Sequence, residues 1–149
     1  MALAKSKTSA LSNSGVACAL IDPATQVPNG IRFYVLGSDS KEYQRLIRLQ
    51  EVARLEKQKK ARGIYFPTPE ESEENALNLL TSLTMGWDED VVDAEGKVTA
   101  VRKEIELEEG EYVPFSIEAA KAIYAELGYK WIREQVDAFI GDRRNFLPK

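Results

Sequence analysis

The sequence has no histidine and only one cysteine, Cys18, among its 149 residues. Without histidine, a protein lacks the commonest general base, the usual partner of a nucleophilic serine or cysteine, and the commonest transition-metal ligand. One cysteine cannot form an internal disulfide or a structural zinc site. The phosphate-binding patterns G-x-x-x-x-G-K-[ST] and G-x-G-x-x-G are also missing. These absences predict a protein that is not an enzyme and needs no metal or cofactor.

Long apolar runs are missing as well. The longest, Val16–Ile21, has six residues, whereas a membrane-spanning helix needs about 20. Residues 1–15 contain Lys5 and Lys7 but no apolar segment typical of a secretory signal, so we interpret them as a flexible N-terminal tail. With the lone cysteine, this favours a cytoplasmic protein that does not enter a membrane.

Charge is distributed unevenly along the chain. Residues 1–62 contain 11 Lys and Arg against 5 Asp and Glu, whereas residues 63–149 contain 9 against 19, which gives net charges of +6 and −10 and the total of −4. Opposite poles of one chain, or of neighbouring copies, can attract each other. The pattern therefore allows a homo-oligomer.

The first part of the chain predicts a β-hairpin followed by a basic helix. Residues 16–21 and 31–36 have the composition of strands, and the proline-rich segment that ends in Asn29 and Gly30 predicts the turn between them. A helix is predicted over residues 40–62, with Asp39 and Glu42 as its capping box. Its apolar positions predict an apolar stripe beside a basic surface, and we expect the apolar faces of the helices to bury against a helical client or another copy.

The second part predicts three more helices. Thr68 and Pro69 are typical of a helix start, and we expect that helix to end at Gly86. Ser116 predicts the start of a helix that ends at Gly128, and residues 129–140 predict the last one. Residues 88–112 alternate between apolar and acidic segments, which favours an acidic hairpin.

The predicted fold class is therefore α+β, with an N-terminal β-hairpin, about four amphipathic helices and a second, acidic hairpin. A single domain is expected over residues 16–146, followed by a tail at residues 147–149. Within the domain, residues 16–62 form the hairpin and basic helix, and residues 63–146 form the acidic helical part.

One acidic cluster, at Asp88, Glu89, Asp90, Asp93 and Glu95, invites comparison with a calcium site. It lacks the spacing of an EF-hand loop and the glutamate that closes one. We interpret it as a solvated acidic segment.

Binding residues are predicted in two places. The basic helix contains eight Lys and Arg against three acids from residue 41 to residue 62, which fits an acidic protein surface better than nucleic acid because no aromatic residues alternate with the charges. Apolar pairs in a hinge and near the C-terminus are predicted to be exposed anchors. The candidate protein-binding residues are Arg45, Arg48, Arg54, Tyr65, Phe66, Phe146 and Leu147.

Three segments resemble the tail assembly chaperones of long-tailed phages. They are Asp22 and Pro23 leading into GIRFYVLGSDS at residues 30–40, LTMGW at residues 83–87, and VPFS at residues 113–116 followed by AAKAIY and WIREQV. The resemblance implies a non-enzymatic protein in the cytoplasm of the infected bacterium. It also implies two partners, the tape-measure protein, which such chaperones bind, and the tail-tube protein, whose subunits they help to recruit.

Two other functions compete with this expectation. A phage structural subunit would remain in the finished particle, whereas a chaperone leaves it. A nucleic-acid-binding regulator would use the basic helix at residues 41–62, with salt-sensitive binding.

Overall fold

The computed structural model describes residues 2–149, and it confirms the α+β class. The helices are α1 (Ser9–Ser14), α2 (Lys41–Ala61), α3 (Pro69–Leu83), α4 (Ile117–Ala125) and α5 (Lys130–Gly141). The strands are β1 (Val16–Ile21), β2 (Pro28–Val35), β3 (Thr84–Val92), β4 (Val98–Arg102), β5 (Glu104–Glu108) and β6 (Glu111–Pro114). Short 3-10 helices cover Leu3–Ser6, Leu127–Tyr129 and Arg143–Phe146.

The strands form two antiparallel sheets. The larger has the order β1-β2-β3-β4, and the smaller pairs β5 with β6. The predicted N-terminal hairpin is confirmed, with Cys18 opposite Phe33 in the register of β1 and β2. Phe33 also lies opposite Trp87 of β3, so the centre of the large sheet presents aromatic side chains.

The core lies between the large sheet and helices α3, α4 and α5. The Phe33 ring centroid is 5.3 Å from that of Trp87 and 6.0 Å from that of Tyr124 on α4, within the range of favourable aromatic pairs. The Tyr124 hydroxyl is buried, and it is satisfied by Thr84 Oγ1 at 2.7 Å. Each core element therefore contributes an interior side chain to one continuous cluster.

Three helix starts follow local sequence signals, with one correction. Thr68 and Ser116 cap α3 and α4 as predicted, each accepting a hydrogen bond from a backbone N–H three residues later. The cap of α2 is Ser40, whose Oγ accepts from the Tyr43 N–H at 3.1 Å, so the predicted Asp39 capping box is wrong. Asp39 instead binds Thr8 and Arg143, as described below.

The segment after α3 differs from the prediction. α3 ends at Leu83, and Gly86 lies inside β3 because Trp87 packs into the sheet opposite Phe33. Residues 88–112 do not form a single acidic hairpin: β3 pairs with β4, and β5 pairs separately with β6. α4 ends at Ala125, before the expected Gly128, and a 3-10 turn connects it to α5.

The N-terminal tail is also corrected. Residues 9–14 form α1, whose Ser12 is buried against Gly37, and a Cβ added at Gly37 would lie 2.5 Å from Ser12 Oγ. Met1 lies outside the described residues. At the other end, Phe146, the last residue of the expected domain, is buried.

The outer edge of β1 is covered by a side chain. Gln135 on α5 accepts a hydrogen bond from the Ile21 N–H at 2.8 Å and donates one to the Ile21 carbonyl at 2.7 Å. Its amide thus forms the bonds that a neighbouring strand would form. None of the helices within residues 2–149 is long and apolar enough to cross a membrane.

Candidate protein-binding site

α2 and the first half of α3 form a helical hairpin that lacks a core of its own. No residue from position 41 to position 76 is buried, and in α2 only Tyr43 and Leu46 pack against the central cluster. The buried residues of α3 begin at Leu77. We call residues 47–76 the helical arm, because they form two antiparallel helical segments and a connecting loop outside the core.

Two stripes of α2 have opposite environments. One stripe is half-buried and faces α3: Tyr43, Leu46, Gln50, Arg54 and Gln58. The other consists of exposed residues: Lys41, Arg45, Arg48, Val52, Leu55 and Lys59. Because both sets recur every three or four residues, each occupies one face of the helix. We call the exposed set the outer stripe.

Polar contacts join α2 to α3 within the arm. Gln50 Nε2 donates to the Asn75 carbonyl at 2.9 Å, and Lys57 Nζ lies 3.0 Å from Glu71 Oε2. The predicted apolar stripe of α2 therefore packs against the core only in the first two turns, at Tyr43 and Leu46. Leu49, Val52 and Leu55 are between 44% and 53% exposed. In this part of α2, the side toward solvent therefore includes apolar side chains, whereas the contacts with α3 are polar.

The loop at the end of the arm exposes two large apolar side chains. Ile64 and Phe66 are 77% and 78% exposed. Tyr65 between them is half-buried, donates its hydroxyl hydrogen bond to Glu71, and has Lys57 Nζ 5.8 Å from its ring centroid. The Tyr65 hydroxyl and the Lys57 ammonium both lower the pKa of the Glu71 carboxyl. Tyr65 therefore holds the loop in place, and Ile64 and Phe66 are its free surface.

The three predicted arginines on α2 have different environments. Arg45 is paired with Glu42 at 2.5 Å, and Arg54 with Glu51 at 2.5 Å. Hydrogen bonds from these arginines lower the pKa of both glutamates. Arg48 forms no salt bridge within residues 2–149. Of the three, Arg48 is the one whose charge is available to a partner.

The predicted C-terminal anchor is not part of this site. Phe146 is 1% exposed, and its ring packs edge-on against Phe139, with centroids 5.7 Å apart. The prediction that Phe146 is an exposed anchor is wrong, because α1 and Gly37 supply a surface that buries it. Leu147, the neighbouring predicted residue, is 40% exposed. The structure thus brings Arg48 and Phe66 onto the arm and places Phe146 in the core.

The cysteine and the half-buried ion pairs outside the arm have structural roles. Burial raises the pKa of the Cys18 thiol to about 11, so the thiol is protonated at neutral pH and is a poor nucleophile. On the large sheet, Arg32 binds Asp88 at 2.7 Å and Asp90 at 2.9 Å, and these ion pairs join β2 to β3. The described residues contain no group of three or more His, Cys, Asp or Glu positioned to hold a metal ion.

Comparison with known proteins returned no match: no family model fits the chain, and no curated protein or solved structure shows significant similarity to it.

Sequence reasoning missed Ile64 and the grouping of residues in the outer stripe. The spacing of Lys41, Arg48 and Leu55 is seven residues, a repeat that marks one helix face. Arg45 and Arg48 were predicted as binding residues, but their alignment on one face with Val52 and Leu55 was not. Ile64 is adjacent to Tyr65 and Phe66 in the sequence. Only the structure shows which of the three side chains makes contacts within the protein.

Proposed function

We propose that this protein is a non-enzymatic assembly chaperone of the phage-tail type, which binds a tape-measure protein through the helical arm and helps to recruit tail-tube subunits. The observation that carries the proposal is the arm itself, 30 consecutive residues without a buried side chain. Its end presents Ile64 and Phe66 to solvent. Large apolar side chains of this kind mark interaction sites when they are grouped outside the core.

Energetics support a binding role for the end of the arm. Full burial of an isoleucine or phenylalanine side chain contributes about 1.5–3 kcal/mol. Tyr65, tied to Glu71 and Lys57, already orders the loop between Ile64 and Phe66. A preordered loop loses less conformational entropy on binding, so more of the burial energy appears as affinity.

The resemblance to tail assembly chaperones supports the proposal from a different part of the molecule. Its segments supply core residues, including Phe33 on β2, Trp87 on β3 and Tyr124 on α4. The arm is supported on this framework through Leu77, Leu80 and Leu83 of α3. On this proposal, the framework is the part that resembles the family, and the arm contacts the client.

Capture of the tape-measure protein from the same phage tests the proposal. The double variant Ile64→Ala/Phe66→Ala should bind the tape-measure protein at least about tenfold more weakly, because each side chain is an exposed apolar anchor. The matched control is Val27→Ala/Leu127→Ala, which removes side chains that are 55% and 80% exposed outside the arm. The control should bind like the wild type.

Three outcomes would contradict the proposal. Failure of the wild-type protein to capture the tape-measure protein would show that the tape-measure protein is not its client. Equal capture by the arm variant and the control would show that the arm is not the binding site. Recovery of the protein from purified virions by mass spectrometry shows a structural subunit and contradicts a chaperone that leaves the particle.

A further inference from the structure

The two edges of the large sheet differ in how they are covered. At the β1 edge, the Gln135 amide binds the N–H and the C=O of Ile21. At the opposite edge, β4 pairs only with β3 among the strands of residues 2–149, and residues 98–101 are all exposed. An uncovered edge strand has a row of N–H and C=O groups without main-chain partners. The β4 edge is therefore open to an added strand, whereas the β1 edge is not.

The turn between β3 and β4 determines which main-chain groups of β4 point outward. The Asp93 N–H donates to the Lys97 carbonyl at 2.9 Å, and this bond closes the hairpin. In an antiparallel ladder, residues alternate between bonding their partner strand and pointing away from it. The N–H and C=O of Val98, the next residue, therefore point away from β3 and can bond an extended chain beside β4.

Three valines lie together beside this edge. The register of β3 and β4 places Val92 opposite Val98. It also places Asp90, two residues from Val92 and on the same face of β3, opposite Val101. Val92, Val98 and Val101 therefore share one face of the sheet, and they are between 50% and 57% exposed. We call these three residues the edge valines, because side chains of a strand added beside β4 would pack against them.

Lysines lie at both ends of the β4 edge. Lys97 precedes β4 and Lys103 follows it; both are exposed, and neither forms a salt bridge within the described residues. At about 3.3 Å per residue, the two positions are about 20 Å apart along an extended chain. Two nearby carboxylates are already occupied, since Glu89 pairs with Arg102 at 3.0 Å and Asp93 accepts from the Lys97 N–H at 2.9 Å. Two free ammonium groups therefore flank the edge valines.

We propose that the β4 edge binds an extended peptide segment of another protein, which joins the large sheet as an additional strand. The segment has a carboxylate at each end and apolar side chains between them, because these groups complement the two lysines and the edge valines. In this mode of recognition, main-chain hydrogen bonds supply affinity and side chains select the sequence.

A second copy of β4 is a poor occupant of the same edge. In antiparallel pairing, Lys97 of one copy would lie beside Lys103 of the other, and like charges on opposite strands are destabilising. The charges therefore favour a different, acidic-ended partner. The proposal is independent of the helical arm and of its client.

A synthetic peptide of about seven residues, long enough to span the two lysines, tests the proposal. It has Glu at both ends, alternating Val and Thr between them, and blocked termini; the matched peptide has Lys in place of Glu. In fluorescence anisotropy with the full chain, the Glu peptide should bind saturably, and the Lys peptide at least about tenfold more weakly. Absence of saturable binding up to about 1 mM, or equal binding of the two peptides, overturns the proposal.

Charge reversal at the edge should exchange the preference. The variant Lys97→Glu/Lys103→Glu should bind the Glu peptide at least about tenfold more weakly than the wild type and the Lys peptide more tightly, because the end charges are now complementary to lysine. The control Lys5→Glu/Lys7→Glu makes the same charge change at exposed N-terminal positions and should bind both peptides like the wild type. A reversed variant that keeps the wild-type preference overturns the proposal.

The variant Val98→Pro tests the main-chain hydrogen bond. Proline removes the outward N–H, and edge strands tolerate it where that N–H faces solvent. Binding of the Glu peptide should fall about tenfold, while circular dichroism shows a melting temperature close to that of the wild type. The control Val98→Ala keeps the N–H and should retain most of the affinity. Equal binding by folded Val98→Pro and Val98→Ala overturns the proposal.

Two further outcomes are decisive. If Val98→Pro does not fold, the charge-reversal variant decides the test, because both of its substituted positions are exposed. Sedimentation velocity identifies the other occupant: a wild-type chain that self-associates and becomes monomeric on Val98→Pro assigns the β4 edge to a second copy and overturns the proposal. Loss of peptide binding with intact capture of the tape-measure protein leaves the proposed chaperone function standing.

Discussion

Two neighbouring residues, Phe146 and Leu147, show how much one side chain depends on distant parts of the chain. Both are apolar and close to the C-terminus, so the sequence predicts the same role for each. In the structure, Phe146 is buried against Phe139, while Leu147 is 40% exposed. The difference comes from α1 and Gly37, which lie more than a hundred residues away in the sequence and close the space around Phe146.

The Phe146→Ala variant should lower the free energy of unfolding by about 3–5 kcal/mol, the usual cost of removing a buried phenylalanine side chain. Urea denaturation followed by tryptophan fluorescence measures the change. The matched control is Leu147→Ala, which should stay within about 0.5 kcal/mol of the wild type because its side chain is partly solvated. Similar losses for both variants would show that Phe146 does not have the burial described here.

The individual caps were the most predictable residues. Thr68 and Ser116 act through hydrogen bonds to N–H groups three residues later, and such bonds depend on local sequence. Asp39 could not be assigned correctly for the opposite reason. Its partners, Thr8 and Arg143, come from the two ends of the chain.

At the scale of elements, the position of α2 was predictable from the sequence, but the side of the helix that faces α3 was not. Its length follows from periodic apolar positions without glycine or proline. Which side of α2 faces α3 depends on contacts between the two helices: Gln50 donates to the Asn75 main-chain carbonyl, and Lys57 pairs with Glu71. Gln50 thus lies on the half-buried side, while Val52 and Leu55 are exposed.

The arm should exchange its amide hydrogens much faster than α5. Helices without buried side chains open locally at low free energy, so α2 amides after Ile47 should have protection factors on the order of a hundredfold below those of α5. α5 is the internal control because Ile132, Val136 and Ile140 are buried. Hydrogen exchange measured by NMR on the isolated chain at low concentration gives the comparison. Equal protection in the two helices would contradict an arm without a core.

The second half of the sheet was the least predictable element. Residues 88–112 contribute to two hairpins, and the single residue that separates them, Lys103, carries no turn signal. Strand pairing here depends on long-range contacts, such as the Trp87 side chain donating to the Val113 carbonyl. Alternation in the sequence predicts strands but does not select their partners.

At the scale of the whole molecule, one carboxylate joins three distant parts of the chain. Asp39 precedes α2, accepts a hydrogen bond from Thr8 Oγ1 at 2.5 Å, and binds Arg143 Nε at 2.8 Å. The Arg143 guanidinium, with a smaller contribution from Thr8, lowers the pKa of the Asp39 carboxyl below its ordinary value of 3.8. Asp39 therefore ties the N-terminal segment and the C-terminal 3-10 helix to the start of α2.

The Asp39→Asn variant should lower the melting temperature at neutral pH by about 2–4 °C. A carboxyl whose pKa is depressed by folding stabilises the protein above its unfolded pKa and loses that contribution as the pH falls below it. The difference between variant and wild type should therefore shrink as the pH falls below 3.8. Melting curves at pH 7 and at acid pH test this. The control Asp137→Asn removes the same charge from an exposed residue of α5 that has no ion pair within residues 2–149. A melting-temperature difference between Asp39→Asn and the wild type that persists at acid pH would contradict the Asp39 contact.

The contact at Asp39 has a further consequence for chain topology. Thr8 and Arg143 meet at one side chain, so a linker can join the chain between the segments around these two residues. New ends can then be opened at Gly96, in the exposed turn between β3 and β4. Circular permutation of this kind retains all the residues of the core. It also places the new chain ends in the turn between β3 and β4, where they can carry a label outside both the arm and the Asp39 contact.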